Sequence, residues 1–211
     1  MPSHSRDERA ALADLMTTLG PDAPTLCGDW TTRDLAAHLV VRERRPDIGI
    51  GAVVPGLNRW ADRARIGLRD GTPWEELLGL LRAGAPAWSP MGNSRTEPAV
   101  NLLEFFVHHE DVRRAQPGWG PRALPSRLED DLWTRLQLAG PLMTRKWGAG
   151  LAVAAPGGRS LRLRRGEPTV TVSGAPSELV LYCTGRQQVA RVTSDGPPDL
   201  VASLDAAPFG I

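Results

Sequence analysis

Apolar residues recur every three or four positions through most of the chain up to residue 148, a spacing typical of amphipathic helices. Segments that contain Gly and Pro separate these stretches and mark where helices end or begin. Thr31 or Thr32 can cap the second helix, and Ser126 is expected to cap the last, with Glu129 completing a capping box. The pattern predicts helices over residues 6–19, 33–46, 57–69, 74–81, 99–115 and 125–143.

The pattern changes after Trp147, where short stretches with a strand-like composition alternate with Gly- and Pro-containing turns. A short helix is predicted over residues 175–184. The predicted strands cover residues 151–154, 160–163, 169–172 and 189–193. We therefore expect a mainly α protein, with a helical domain over residues 1–148 and a small α+β domain over residues 149–211.

Length and charge narrow the classes of function. With 211 residues and a formal net charge of +1, the chain can bury a sizeable core but has no concentrated basic stretch, which argues against nucleic acid as a partner. No apolar run approaches the ~20 residues that cross a bilayer, which argues against a membrane partner. Cys27 and Cys183 are far apart and no secretory signal precedes the first helix, so we expect reduced thiols in a cytoplasmic protein.

Three residues supply a set of candidate metal ligands. Glu104 and His108 are four residues apart, so their side chains leave the same face of the predicted helix. His38 is the best third ligand, because the chain has four histidines and His4 lies near the N-terminus. Two imidazoles and one carboxylate suit zinc with an open fourth position, and they also suit Fe(II) or related divalent ions. His109 points about 100° away from His108 and is expected to be a packing or pocket residue.

Each of these residues also has a purely structural interpretation. His38 alone is typical of a hydrogen-bonded core histidine, and Glu104 with His108 is typical of a surface pair one turn apart. Asp111 either orients the His108 imidazole or lies in solvent. Cys27 is either an additional soft ligand or nucleophile, or a small buried apolar residue. Trp30 is expected to pack at the start of the helix that carries His38.

Three stretches resemble a known family. They are residues 27–40 (CGDWTTRDLAAHLV), residues 104–111 (EFFVHHED) and residues 177–186 (SELVLYCTGR). They are similar, in this order, to motifs of the DinB-like superfamily and its mycothiol-dependent maleylpyruvate isomerase branch. The likeness is greatest to a metal-binding subgroup marked by residues 42–46 (RERRP) and the doubled histidine at 108–109.

The resemblance implies a DinB-type four-helix bundle with a divalent metal held by His38, Glu104 and His108. Zinc is the metal expected first, with Ni²⁺ and Fe²⁺ as alternatives, and mycothiol is the implied co-substrate. Arg42, one turn beyond His38, is a candidate catalytic residue that binds an anionic group or pairs with a nearby acid. Arg186 is a second candidate, for a carboxylate of thiol or substrate, and the resemblance alone supports it.

Three classes of function follow from this set of ligands. A thiol bound to the metal loses its proton near neutral pH, which favours an isomerase or transferase that uses a low-molecular-weight thiol on a small-molecule substrate. A metal-bound water would instead serve a hydrolase of amides or esters. The third alternative is a metal-containing binding protein without catalysis, and a homo-oligomer stays open for each of the three.

Overall fold

The protein is described by a computed structural model that covers residues 3–45, 58–86, 88–89, 91 and 97–210. The chain divides into two compact units, Met1–Gly120 and Pro121–Ile211. It is mainly helical, with one small sheet in the C-terminal part, so the predicted fold class is confirmed. No helix in the described part of the chain is long and apolar enough to span a membrane.

The helices of the first unit agree with the predicted ones to within a few residues at each end. The predicted connection over residues 49–56 lies outside the described residues. The observed helices are α1 (His4–Leu19), α2 (Thr32–Arg44), α3 (Asn58–Gly71), α4 (Trp74–Ala83) and α5 (Glu97–Arg114).

Four of these helices, α1, α2, α4 and α5, share a single apolar core, which is the predicted four-helix bundle. Helix α3 packs outside it, against α2. Each fully buried Leu of such a core contributes about 1.5–3 kcal/mol. The core holds α2 and α5, which carry the candidate ligands, in one bundle. Its fully buried residues include Leu12 and Met16 from α1, Leu35 and Leu39 from α2, Leu77 and Leu81 from α4, and Phe105 and Val112 from α5.

Helix α2 begins with a capping box. The Thr31 side chain accepts a hydrogen bond from the Asp34 backbone N–H, and the Asp34 carboxylate accepts from the Thr31 backbone N–H at 3.3 Å. Asp34 also accepts from Arg69 of α3 at 3.0 Å and from Arg65. Burial opposes ionisation of Asp34, but the hydrogen bonds from Arg69 and Thr31 outweigh it and lower the pKa of this carboxyl. The first turn of the helix that carries His38 is thereby tied to α3.

The second unit joins a long helix to a four-stranded sheet of order β2-β1-β3-β4. Strands β1 and β3 pair in parallel, and the other neighbours pair antiparallel. Helix α6 packs against α7 and β2, so it belongs to this unit. The elements are α6 (Ser126–Met143), β1 (Gly150–Ala155), β2 (Arg159–Arg164), β3 (Thr169–Ser173), α7 (Pro176–Cys183), β4 (Thr193–Asp195) and α8 (Pro198–Leu204).

The division into compact units therefore falls between Gly120 and Pro121 and not near residue 148. The apolar period of α6 is helical, which is why the sequence pattern grouped it with the preceding helices. Its buried face is nevertheless covered by α7 and β2, which come later in the chain. The expected domain limits, a helical bundle over residues 1–148 and a small α+β domain over residues 149–211, stay a prediction.

Two local predictions in this unit were wrong. Pro125, and not Ser126, is the N-cap of α6, which has no side-chain cap. The Glu129 carboxylate accepts hydrogen bonds from the Ser177 backbone N–H at 2.9 Å and from the Ser177 hydroxyl at 2.8 Å. Glu129 thus satisfies the N-terminus of α7, where a carboxylate is favoured by unpaired N–H groups. The last strand is residues 193–195, because the chain around Val189 forms turn hydrogen bonds back to the Arg186 carbonyl.

Replacing Thr31 by Ala should lower the free energy of unfolding by about 1 kcal/mol, because the first turn of α2 loses its side-chain cap. Urea denaturation followed by circular dichroism measures this change. Thr31→Ser keeps the hydroxyl and is the matched control, which should stay within a few tenths of a kcal/mol of the parent. Equal losses in both variants would show that the threonine methyl group, and not the cap, carries the effect.

Candidate metal centre

His38 of α2 and Glu104 and His108 of α5 converge in the first unit. Glu104 Oε1 lies 3.3 Å from His38 Nε2 and 3.4 Å from His108 Nε2. One ligand atom from each residue lies within 4.8 Å of the other two. The i,i+4 spacing on α5 and the packing of α2 in the same bundle produce this arrangement. The structure therefore brings together the three residues that the sequence singled out.

Two of the three donor-atom separations match those expected around a small divalent ion. Ligands placed tetrahedrally about 2.0–2.2 Å from zinc lie about 3.3–3.6 Å from one another. The two measured separations, 3.3 and 3.4 Å, agree with this value. The His38 side chain is 33% exposed, against 13% for His108, so the cluster is open to solvent on the His38 side. The donor set fits a divalent metal with a further position for water or a ligand.

Asp111 orients His108 through the Nδ1 atom of the imidazole, while Nε2 faces Glu104. Its carboxylate Oδ2 lies 2.9 Å from His108 Nδ1, and its side chain is fully buried. This hydrogen bond turns Nε2 of His108 toward Glu104, and a carboxylate behind a ligating imidazole is the usual means of setting its tautomer and its direction. The solvent-exposed alternative for Asp111 is therefore wrong.

Cys27 lies on the same side of His108 as Asp111. Its thiol donates to Asp111 Oδ2 at 3.1 Å, and the sulfur is 3.7 Å from His108 Nδ1. Cys27, His108 and Asp111 are thus a second close group of ligand types, but Nδ1 and the thiol both face the carboxylate of that group. Cys27 also packs against the apolar core. The thiol is therefore placed behind the His108 imidazole and not at its Nε2 atom.

The charges of the cluster are set by their mutual contacts. Burial alone would raise the pKa of Glu104, but the Arg42 guanidinium and hydrogen bonds from His108 and His38 hold it well below its usual value. Burial alone would lower the pKa of His108, but hydrogen bonds to Asp111, Cys27 and Glu104 raise it well above its usual value. In the metal-free protein the cluster therefore pairs a carboxylate with a readily protonated imidazole.

Arg42 pairs with an acid of the site itself. Its Nε lies 3.3 Å from Glu104 Oε1, and its Nη1 donates to Asn101 Oδ1 at 2.8 Å. From the sequence, Arg42 is expected to bind an anionic group or to pair with a nearby acid. That acid is Glu104, which is itself a candidate metal ligand. Arg186 lies in the second unit, where its guanidinium donates to the backbone carbonyl of Thr184. The predicted role of Arg186 toward a carboxylate stays a prediction.

Two further side chains define the surroundings of the cluster. His109 is buried and bonded through Nδ1 to Glu8 of α1 at 2.8 Å, so it is a packing residue on another face of α5. The Trp30 ring lies 5.2 Å from the His38 ring and is covered on one side by Arg65, 4.4 Å from its centre. Sequence reasoning missed Asn101, because a lone asparagine in a helix carries no signal until its neighbours are known.

Comparison with known proteins concerns the fold of the chain and the segment that carries His38. Residues 5–87 match the family described as the mycothiol maleylpyruvate isomerase N-terminal domain. The crystal structure of the mycothiol-dependent maleylpyruvate isomerase, and that of a variant with one histidine changed to alanine, resemble this chain with TM-scores of 0.59 and 0.58. Each is 17% identical over 91% of this chain and 90% of the other. A comparison with curated protein sequences gave no match.

The structural likeness extends over both the helical part and the C-terminal sheet, and the family match covers the segment that carries His38. The matched segment ends before Glu104 and His108, which come from α5. The resemblance predicted from the sequence motifs is confirmed: residues 5–87 resemble the N-terminal domain of mycothiol maleylpyruvate isomerases, and the fold resembles that of the solved isomerase.

Proposed function

We propose that the chain binds a divalent metal through His38, Glu104 and His108 and uses a low-molecular-weight thiol, such as mycothiol, to isomerise a small molecule or transfer a group to it. The observation that carries this proposal is the position of Glu104 Oε1, 3.3 Å from His38 Nε2 and 3.4 Å from His108 Nε2, beside a solvent-open side at His38. The names of the structural relatives make maleylpyruvate the first substrate to test.

Zinc is the metal that this donor set favours first, because two imidazoles and a carboxylate with an open position are typical of catalytic zinc. Ni²⁺ and Fe²⁺ accept the same ligands and are the alternatives. When bound, such a metal lowers the pKa of a coordinated thiol and so supplies a thiolate near neutral pH. With neutral imidazoles, the carboxylates of Glu104 and Asp111 contribute two negative charges and Arg42 contributes one positive charge, so a divalent ion keeps a net positive charge that favours an anionic ligand.

The protein's own thiol is unsuited to the role of nucleophile. The Cys27 S–H is occupied in a hydrogen bond to the Asp111 carboxylate. The sulfur lies behind the His108 ring, away from the open side. The reacting sulfur in our proposal therefore comes from a bound small thiol, and the chain's residues hold the metal, direct the imidazoles and supply the positive charge beside Glu104.

The first expected outcome concerns the ligands. Changing His38, Glu104 or His108 singly to Ala should remove most of the bound metal, because each supplies one of three convergent donor atoms. His109→Ala is the matched control and should retain the metal, because that imidazole faces Glu8. Metal analysis of proteins loaded with zinc and then dialysed measures this. Loss in His109→Ala with retention in His108→Ala would mean that the other histidine binds the ion.

The second expected outcome concerns the thiol. Adding mycothiol to the cobalt-substituted protein should produce a sulfur-to-metal charge-transfer band, because a thiolate occupies the open coordination position. The band should disappear in His38→Ala and persist in Cys27→Ala, since the sulfur does not come from the chain. A band that depends on Cys27 without added thiol would identify a protein thiolate as the ligand instead.

Turnover assays separate the three classes of function. Conversion of maleylpyruvate that requires added thiol supports the isomerase or transferase. Hydrolysis of an amide or ester without thiol would instead support a hydrolase in which metal-bound water attacks. Tight ligand binding without any turnover would support a metal-containing binding protein.

A further inference from the structure

The Arg42 guanidinium uses two of its nitrogen atoms on two different residues of α5. Nε contacts Glu104 Oε1 at 3.3 Å, and Nη1 donates to Asn101 Oδ1 at 2.8 Å. A guanidinium is planar and its donors keep a fixed geometry, so the second contact determines where the first one points. The direction in which Arg42 meets Glu104 therefore depends on Asn101.

Asn101 is itself held from the other side. Its side chain is fully buried, and its Nδ2 donates to the Met91 carbonyl at 3.3 Å and to Glu43 Oε1 at 3.4 Å. These two acceptors require the NH₂ group on their side, which leaves Oδ1 for Arg42. A flipped amide would place its NH₂ against the guanidinium and its oxygen against the Glu43 carboxylate. The contacts thus specify a single orientation of the amide.

Glu43 connects this arrangement to a third helix. Its buried carboxylate forms an ion pair with Arg9 of α1, and its backbone carbonyl accepts a hydrogen bond from the Ser89 hydroxyl at 2.7 Å. A buried carboxylate with such partners cannot easily move away from Asn101, because doing so would break its buried ion pair with Arg9. The hydrogen bonds form a continuous path from Arg9 on α1 through Glu43, Asn101 and Arg42 to Glu104.

Helix geometry explains why these residues meet. His38 and Arg42 are one turn apart on α2, and Asn101 and Glu104 are three residues apart on α5. Residues at these spacings share a face of their helix. Two side chains of α2 thus contact two side chains of α5. His38 and Arg42 both contact Glu104, and Arg42 also contacts Asn101.

The geometry points to Asn101 as a positioning residue that acts through Arg42. Arg42 in turn holds the Glu104 carboxylate next to the Nε2 atoms of His38 and His108. Asn101 contacts neither a ligand atom of the cluster nor its open side, so its effect on the metal passes through Arg42. This inference rests on the proposed function, because it takes Glu104 as a metal ligand. It also assigns Arg42 to the carboxylate of the chain itself, and not to a carboxylate of the substrate.

The test is a double-mutant cycle on zinc affinity. Metal-free full-length protein is titrated with Zn²⁺ in competition with a chromophoric chelator, for the parent, Arg42→Ala, Asn101→Ala and the double variant. Arg42→Ala should weaken zinc binding about 10- to 100-fold, as is usual for groups that hold a ligating side chain. Asn101→Ala should weaken it about 10-fold. The double variant should match Arg42→Ala alone, because Asn101 has no effect once Arg42 is absent.

Three further variants distinguish positioning from other effects. Arg42→Lys keeps the charge but replaces two fixed donors by one ammonium, so it should not restore parental affinity. Asn101→Leu has nearly the size of asparagine and replaces Asn101→Ala in the cycle if the alanine variant does not fold, as judged by circular dichroism. Arg63→Gln, at an exposed position of α3, is the control for loss of a positive charge and should bind zinc like the parent.

Several results would overturn the inference. Multiplicative losses in the double variant would mean that Asn101 acts independently of Arg42. Parental affinity in Arg42→Lys would mean that charge, and not geometry, is what matters. Zinc binding that is lost in Glu104→Ala but unchanged in Asn101→Ala would contradict this inference and leave the proposed function intact. Absence of zinc binding in the parent protein would overturn both.

Discussion

The structure of this site depends on keeping one carboxylate ionised inside a helical bundle. Glu104 is only 24% exposed, and burial of a carboxylate without partners is costly. Two imidazoles and a guanidinium surround its Oε1 atom at 3.3–3.4 Å and stabilise the charge. The apolar core that α2 shares with α5 brings His38 and Arg42 of α2 to Glu104, so that α2 supplies two of the three partners. The carboxylate thus joins the packing of the bundle to the chemistry of the site.

Each partner of Glu104 is in turn held by a second residue. Asp111 holds His108 and Asn101 holds Arg42, and both of these residues are fully buried. Trp30 lies against the His38 ring. Polar side chains within an apolar bundle are tolerated when each has its hydrogen-bond partners, and such a network also restricts the positions that the side chains can take. The site is therefore preorganised by residues that never contact its open side.

The same contacts bear on which chemistry the fold supports. A bundle of this type serves several reactions, so the residues of the site must select among them. In this chain the nearby thiol of Cys27 is directed into Asp111, and Arg42 is directed into Glu104. The residue types alone suggest Cys27 as a nucleophile and Arg42 as an anion-binding group. In the structure, both side chains contact carboxylates of the chain. The His38 side of the cluster is open to solvent, as the proposed use of a small exogenous thiol requires.

The sequence by itself determined the helices, the ligand types and the face of α5 that carries them, because helical periodicity and the i,i+4 spacing of Glu104 and His108 are local properties. It also separated His109 from His108, since the two point about 100° apart. His38 was chosen as the third ligand from the small number of histidines and from the resemblance, because its distance from Glu104 depends on how the helices pack and cannot be read from the sequence.

Only the tertiary structure decided the remaining features, and each involves residues distant along the chain. Glu129 was predicted to cap its own helix but caps α7, because the unpaired N–H groups at Ser177 come close to it in the folded unit. Helix α6 has a helical period like the others, yet its apolar face is covered by later elements. Arg42 and Asn101 meet across 59 positions of sequence, and a hydrogen bond between distant side chains leaves no periodic signal in the chain.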